Sequence, residues 1–255
     1  MRYVDGPGPL AVAHRGGSGL AAENTLEAFR RSHALGVRYL ETDVRATADG
    51  RLVAFHDATL DRATAGRGRV RDRTLDELTR IHVRGGTDTV LGLADLFAAF
   101  PDACFTVDVK EPAVIAPLAR MLRAEGLAER VCLAGARGGW LRELAERTDG
   151  RVATALSWRA LAQLASPRGR WTYGTAAFAH VPLRLGRLPV FRHDLLRRAH
   201  DSGVRVLVWT VNDAPTMHRL LDDGVDGIIT DCPDVLREVL IRRGQWSVPV
   251  GPGLR

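Results

Sequence analysis

The sequence predicts an α/β fold, a closed (β/α)8 or TIM barrel with a small insertion in the loop after its second strand. Three observations lead there. Short apolar runs alternate with stretches of helical period, eight such runs fit into 255 residues, and polar residues concentrate where the runs end. A repeated strand-then-helix order means parallel strands joined by right-handed crossovers, and eight units in this length favour closure over an open doubly wound sheet.

In order, the strands are LAVAH (10–14), YLETDV (39–44), CFTVDVK (104–110), RVCLAG (130–135), RVATAL (151–156), TAAFAHV (175–181), VRVLVWT (204–210) and DGIIT (226–230). Between them TLEAFRRSHALG, PAVIAPLARMLRAEG, RHDLLRRAHDSG and APTMHRLLDDG space their apolar residues three and four apart, the period of a helix packed on a sheet. Asn24 with Glu27 three residues on reads as a capping box, and Gly36, Gly126, Gly203 and Gly224 stand where helices should stop. The long polar excursion at about 45–90 holds a hairpin, ADGRLVAFHD, and a Gly/Arg/Thr-rich stretch with no visible second core. It reads as an insertion within one domain spanning 1–255, and the tail at about 245–255 reads as irregular.

Composition narrows the class. A hydrophobic fraction of 45% with 26% charged residues is that of a globular protein and too apolar for a disordered one. The formal charge is +6, and the arginines are scattered along the chain and not gathered into a run, which argues against nucleic acid and suits a small anionic substrate. Cys104, Cys132 and Cys232 are odd in number and far apart, so neither a disulfide framework nor a zinc site is expected. No apolar run is long enough for a leader or a stable membrane span, and the expected compartment is the cytoplasm. The oligomeric state has no sequence signal.

In a βα barrel the reactive groups gather at the C-terminal ends of the strands. His14 and Arg15 end the first strand, Glu41 and Asp43 the second, Asp108 and Lys110 the third, Trp209 the seventh. Glu41 and Asp43 lie two apart and face the same side; with Asp108 from the neighbouring strand they make three oxygen donors suited to Mg²⁺ or Ca²⁺. An ordinary salt-bridge layer with arginines is the competing reading. His14 and His56 are candidate proton carriers. His33, His82, His193, His200 and His218 fall on helices or in the insertion and read as surface residues, with His180 undecided. Lys110 is the sole lysine of the chain, where every other basic residue is arginine.

Five stretches, AHRGGSGLAAENTLEAF, YLETDVRATADGRLVAFHDATLDRATAGRGRV, FTVDVK, VLVWTVND and VDGIITDCPD, closely resemble the glycerophosphodiester phosphodiesterase family, in that order and spacing, over residues 11 to 235. The resemblance implies metal-dependent hydrolysis of glycerophosphodiesters to glycerol 3-phosphate and an alcohol. It places His14 and His56 on the acid/base pair, and Glu41, Asp43 and Asp108 on the ligands of a divalent Mg²⁺ or Ca²⁺. Arg15 and Lys110 fall on phosphate-holding positions and Trp209 on an aromatic of the glycerol pocket. The chain has Asp108 where the family often has glutamate, and Ala22 where proline is commoner. A phospholipase D-like or phosphoinositide-phospholipase-like activity on a lysolipid is the alternative, which a greasy mouth would favour; the loop sequences show no obvious greasy patch. A catalytically silent barrel that binds phosphorylated ligands is the other.

Overall fold

The computed structural model describes residues 1–124, 126–166 and 176–247, so most of the expected irregular tail, and Thr175 of the expected sixth strand, lie outside the described residues. The strands are β1 (Leu10–Ala13), β2 (Tyr39–Ala46), β3 (Leu52–Ala54), β4 (Leu91–Gly92), β5 (Cys104–Val109), β6 (Val131–Ala134), β7 (Ala153–Thr154), β8 (Phe178–Pro182), β9 (Arg184–Leu185), β10 (Leu188–Pro189), β11 (Arg205–Trp209) and β12 (Gly227–Thr230). The helices are α1 (Leu26–Ala34), α2 (Leu75–Leu78), α3 (Leu93–Ala99), α4 (Ile115–Ala124), α5 (Gly138–Arg147), α6 (Trp158–Ala165), α7 (His193–His200), α8 (Ala214–Asp223) and α9 (Pro233–Arg242).

Eight strands run side by side and parallel in the order β7-β6-β5-β2-β1-β12-β11-β8. A parallel bridge between Ala155 and Phe178 brings the two ends together, as a TIM barrel requires. All eight predicted strands are there, each close to its expected place. The fifth is trimmed to two residues, but its neighbours stay bonded: Ala155 N–H donates to Leu133 and Leu156 N–H to Phe178, both at 2.8 Å. All three cysteines are free, and among the described residues no helix is long and apolar enough to cross a membrane.

The inward-facing positions show how sequence period builds the site. Along β2 Tyr39, Glu41 and Asp43 point one way, and along β5 Cys104, Thr106 and Asp108 do; Asp43 and Asp108 are register partners. Each series climbs from apolar at the floor to acidic at the mouth. Tyr3, fully buried, plugs the floor: its hydroxyl meets Thr106 Oγ1 at 2.6 Å, and its ring stands edge-on to Tyr39 and Phe178 at 5.1 and 5.2 Å. Outward positions such as Leu40, Val44, Phe105 and Val107 pack under the helices in the larger clusters. Burying a side chain like Phe105 stabilises the fold by about 1.5–3 kcal/mol.

The insertion follows β2. The expected hairpin forms, with β3 antiparallel to the far end of β2 (Val44 opposite Ala54) and β4 added on β3. One expectation fails: the excursion has an apolar cluster of its own, which includes Val53, Phe55, Leu60, Val70, Leu78 and Val83. These residues are spread irregularly through polar sequence, so neither period reveals them.

Candidate active site

A cavity of about 480 Å³ opens at the C-terminal ends of the strands, and His14, Arg15, Glu41, Asp43, His56, Asp108, Lys110 and Trp209 all line it. None of the five histidines read as surface residues does. His33 and His200 instead hold Asp102 and Asp226, each at 2.8 Å.

The turn after β1 depends on two glycines. Arg15, Gly16 and Gly17 have φ of 49°, 83° and 94° in succession. A Cβ on Gly16 would lie 3.1 Å from Phe29, and one on Gly17 would lie 2.4 Å from Ser32 Oγ. This turn brings the Arg15 backbone N–H to Glu41 Oε2 at 2.7 Å. The guanidinium donates to Glu23 at 3.1 Å, while its Nε lies 3.3 Å from Asp43 Oδ2 but is misaligned and makes no hydrogen bond.

Burial and the charge of Asp43 push the buried Glu41 carboxyl up to about 7. Asp43 is buried too, which alone would raise its pKa, yet Lys110 and Arg15 hold it below the usual range. Lys110 Nζ lies 2.8 Å from Asp43 Oδ1 and 2.6 Å from Asp108 Oδ2; burial would lower its pKa, and those carboxylates raise it. Asp43 thus pairs with Arg15 and Lys110, and Asp108 with Lys110 in place of the arginine that a salt-bridge layer would use, whereas among the described residues the ion-pairing group within 4.0 Å of Glu41 is the His14 ring, through Nε2.

His14 and His56 each have Nδ1 tied to a carboxylate. His14 Nδ1 is 2.7 Å from Asp231 Oδ1, and Asp231 also accepts from Ser18 and Asn212. Burial would lower the His14 pKa, but Asp231 and Glu41 raise it; burial would raise Asp231, and its three donors hold it far below the carboxylate range. His56 Nδ1 is 2.6 Å from Asp57 Oδ1. The bond from Arg62 draws Asp57 down to about 2 against its burial, with His56 assisting. Arg62 also donates to Glu23, which accepts from Arg15, so one chain of ion pairs runs from the insertion to the β1 turn.

Sequence reasoning missed these supports. Asp231 directly follows the last strand, and Asp57 follows His56, so position could have flagged both; Arg62 sits in a stretch with no period. Asn24 is also corrected. It does not cap α1, because Thr25 does so through Ala28 N–H. Asn24 is buried at φ 56°, donates to Asp43 Oδ2 at 3.0 Å and accepts from Thr42 at 2.8 Å.

Three polar groups in the cavity wall lack hydrogen-bond partners: Arg15 Nε, His180 Nε2 and Trp209 Nε1. Unpaired buried polar atoms are costly, and a polar ligand relieves them. Burial draws the His180 pKa down to about 4 from 6.5. Between those values the unfolded chain takes up a proton that folded His180 refuses. The stability tied to a neutral His180 is therefore whole above about 6.5 and falls as pH drops towards 4. Denaturant midpoints at about pH 7 and pH 4.5 should fall further for wild type than for His180→Phe; equal falls would clear His180 of any part. The opposite wall, built from Leu156 after β7, Trp158 and Leu161 on α6 and Trp140 on α5, is apolar, and Trp158 stands edge-on to Trp209 at 6.2 Å. The mouth is greasier than the loop sequences suggested, because single residues converge there.

Among the described residues no set of three or more His, Cys, Asp or Glu is already gathered to hold a metal ion, since Lys110 occupies the gap between Asp43 and Asp108. The donor chemistry nonetheless fits a hard cation. Glu41, Asp43 and Asp108 offer only oxygen at one cavity, and Glu41 is a buried carboxylate whose raised pKa marks too little positive charge beside it.

Residues 14–235 match the model of the glycerophosphoryl diester phosphodiesterase family. A Mycobacterium tuberculosis protein named "Probable glycerophosphodiester phosphodiesterase 2" is 36% identical over 97% of this chain and 96% of its own. A glycerophosphodiester phosphodiesterase of Caldanaerobacter subterraneus subsp. tengcongensis is 31% identical over 92% and 98%. An Oleispira antarctica phosphodiesterase, solved in complex with the product sn-glycerol-3-phosphate, shares the fold with a TM-score of 0.77 at 23% identity, over 92% and 97% of the two chains.

Proposed function

The chain belongs to the glycerophosphoryl diester phosphodiesterase family and hydrolyses glycerophosphodiesters, and from that premise we propose a two-histidine, divalent-metal mechanism that releases glycerol 3-phosphate and an alcohol. The observation that carries it is the pairing at the mouth. His14 and His56 each give Nδ1 to a carboxylate, which leaves Nε2 of both for the same cavity. A neutral ring so anchored holds a lone pair on Nε2 and acts as a base; a protonated one carries a hydrogen there and acts as an acid. One takes the proton of the attacking hydroxyl as the new P–O bond forms. The other protonates the leaving alkoxide as the old P–O bond breaks. Asp231 and Asp57 fix the two rings, and Arg15 and Lys110 place positive charge where the phosphate oxygens become more negative. Glu41, Asp43 and Asp108 would hold a divalent cation, which supplies Lewis-acid charge on the phosphate when bound. The unpaired Trp209 Nε1 and His180 Nε2 suit hydroxyls of the glycerol moiety.

A panel of glycerophosphocholine, glycerophosphoethanolamine, glycerophosphoglycerol and lysophosphatidylcholine, each with Mg²⁺ and with Ca²⁺ and scored for free glycerol 3-phosphate, tests this reading. Turnover of the first three supports it. The apolar wall of Leu156, Trp158 and Leu161 favours a second reading, a lysophospholipid diester whose chain lies on that wall. A clear preference for lysophosphatidylcholine, read as free choline, would select it.

Lys110→Arg tests the cation between the acids. The ammonium serves two carboxylate oxygens as a compact point charge, whereas a planar guanidinium is wider and needs a forked partner. The expected loss in kcat/KM is at least about tenfold, or about 1.4 kcal/mol, with Tm unchanged. Wild-type kinetics in this variant would show that arginine serves equally well.

A further inference from the structure

Residues 150–193 contain seven arginines and no aspartate or glutamate, so this stretch accounts for the whole positive excess of the chain. It supplies β7, α6 and β8, with the loops that leave β7 and β8 at the cavity end of the barrel. At that end Pro182 is the register partner of Trp209, and Leu183 N–H donates to the Trp209 carbonyl at 2.9 Å. Trp209 lines the cavity, so the β9–β10 hairpin stands directly at the mouth.

The hairpin does not pack like the rest of the fold. Positions 184 to 189 are all exposed. Leu188 and Leu185, at 73% and 50%, are the most exposed of the large apolar side chains among the described residues. Trp158, the first residue of α6, is exposed as well. Arg184 and Arg187 precede the two leucines in sequence, are exposed like them, and have no ion-pair partner among the described residues. Leucines held out in water do nothing for the fold, and arginines without acids beside them are open to a separate anion. A nucleic acid would satisfy the arginines and leave the leucines wet. A bilayer rich in anionic lipid satisfies both: the leucines enter the acyl boundary while the guanidinium groups meet the headgroup phosphates.

We infer that the β9–β10 hairpin, with Trp158 beside it, docks the mouth of the barrel reversibly on an anionic lipid surface. The contact is peripheral and requires no membrane span. It sets where the enzyme works, whichever glycerophosphodiester it cleaves.

Sedimentation of the full chain with vesicles of phosphatidylcholine alone, and with about one third phosphatidylglycerol, tests the inference. Wild type should bind the anionic vesicles at least about tenfold more tightly, and added salt should weaken that binding. The double variants Leu185→Ser/Leu188→Ser and Arg184→Gln/Arg187→Gln should each lose about tenfold in binding. Both should keep wild-type Tm and wild-type turnover of glycerophosphoglycerol, since neither pair lines the cavity. No vesicle binding by wild type, equal binding to the two vesicle types, or full binding by the leucine variant would overturn it. A dimer in gel filtration that the leucine variant dissolves, with no vesicle binding, would overturn it in favour of a second copy of the chain.

Discussion

Alanine at His14 or at His56 lowers kcat by about 10²- to 10⁴-fold while the protein stays folded, the usual worth of a general acid or base. Neither ring is part of a packed core. Removing His14 leaves Asp231 with its bonds from Ser18 and Asn212, and removing His56 leaves Asp57 with Arg62, so the carboxylates behind them remain paired. The double variant should cost far less than the product of the two single losses, because the histidines serve one displacement. His200→Ala is the control: that residue lies on α7, bonds Asp226 and does not line the cavity, so its kcat should match wild type. Stopped assays on glycerophosphocholine decide the matter. A His56→Ala enzyme with wild-type kcat would move the role elsewhere, with His180 the next ring in the cavity.

Chelation of divalent cations is expected to reduce turnover by about 10³-fold or more, with recovery on adding Mg²⁺ or Ca²⁺. Three carboxylates share one cavity with two fixed cations, and Lys110 and Arg15 lie against Asp43 and Asp108, not Glu41. The deficit at Glu41 also predicts a signal that needs no turnover. A cation that binds only the folded state raises stability by about 2.7 kcal/mol at a hundred times its Kd. Tm should rise with Mg²⁺ or Ca²⁺ in wild type and much less in Glu41→Gln. Full activity in excess EDTA, or an equal rise in both proteins, would sink the metal assignment.

The barrel was legible because a parallel sheet covered by helices imposes two periods that a linear chain displays: short apolar runs, and apolar residues three and four apart. The same alternation explains why Glu41, Asp43, Asp108 and Lys110 were legible together, since residues two apart on a strand must share a face and the strand ends must share a mouth. The insertion's apolar cluster was not legible, because Val53, Leu60, Leu78 and Val83 meet only after an irregular chain has folded back on itself.

What the sequence by itself determined, then, is the barrel, the end of it that carries the chemistry, and the family to which the chain belongs. Only the tertiary structure decided which partner each polar group keeps. It made Asn24 a ligand of Asp43 in place of a helix cap, and it set Asp231 behind His14 across 217 positions of sequence. It also gave Lys110 to two acids at once, left Glu41 short of a cation, and gathered scattered tryptophans and leucines into one apolar wall. The physical reason is range. Periodicity arises from bonds between residues a few places apart, whereas hydrogen bonds, ion pairs and burial depend on distances in space that closure of the barrel alone sets.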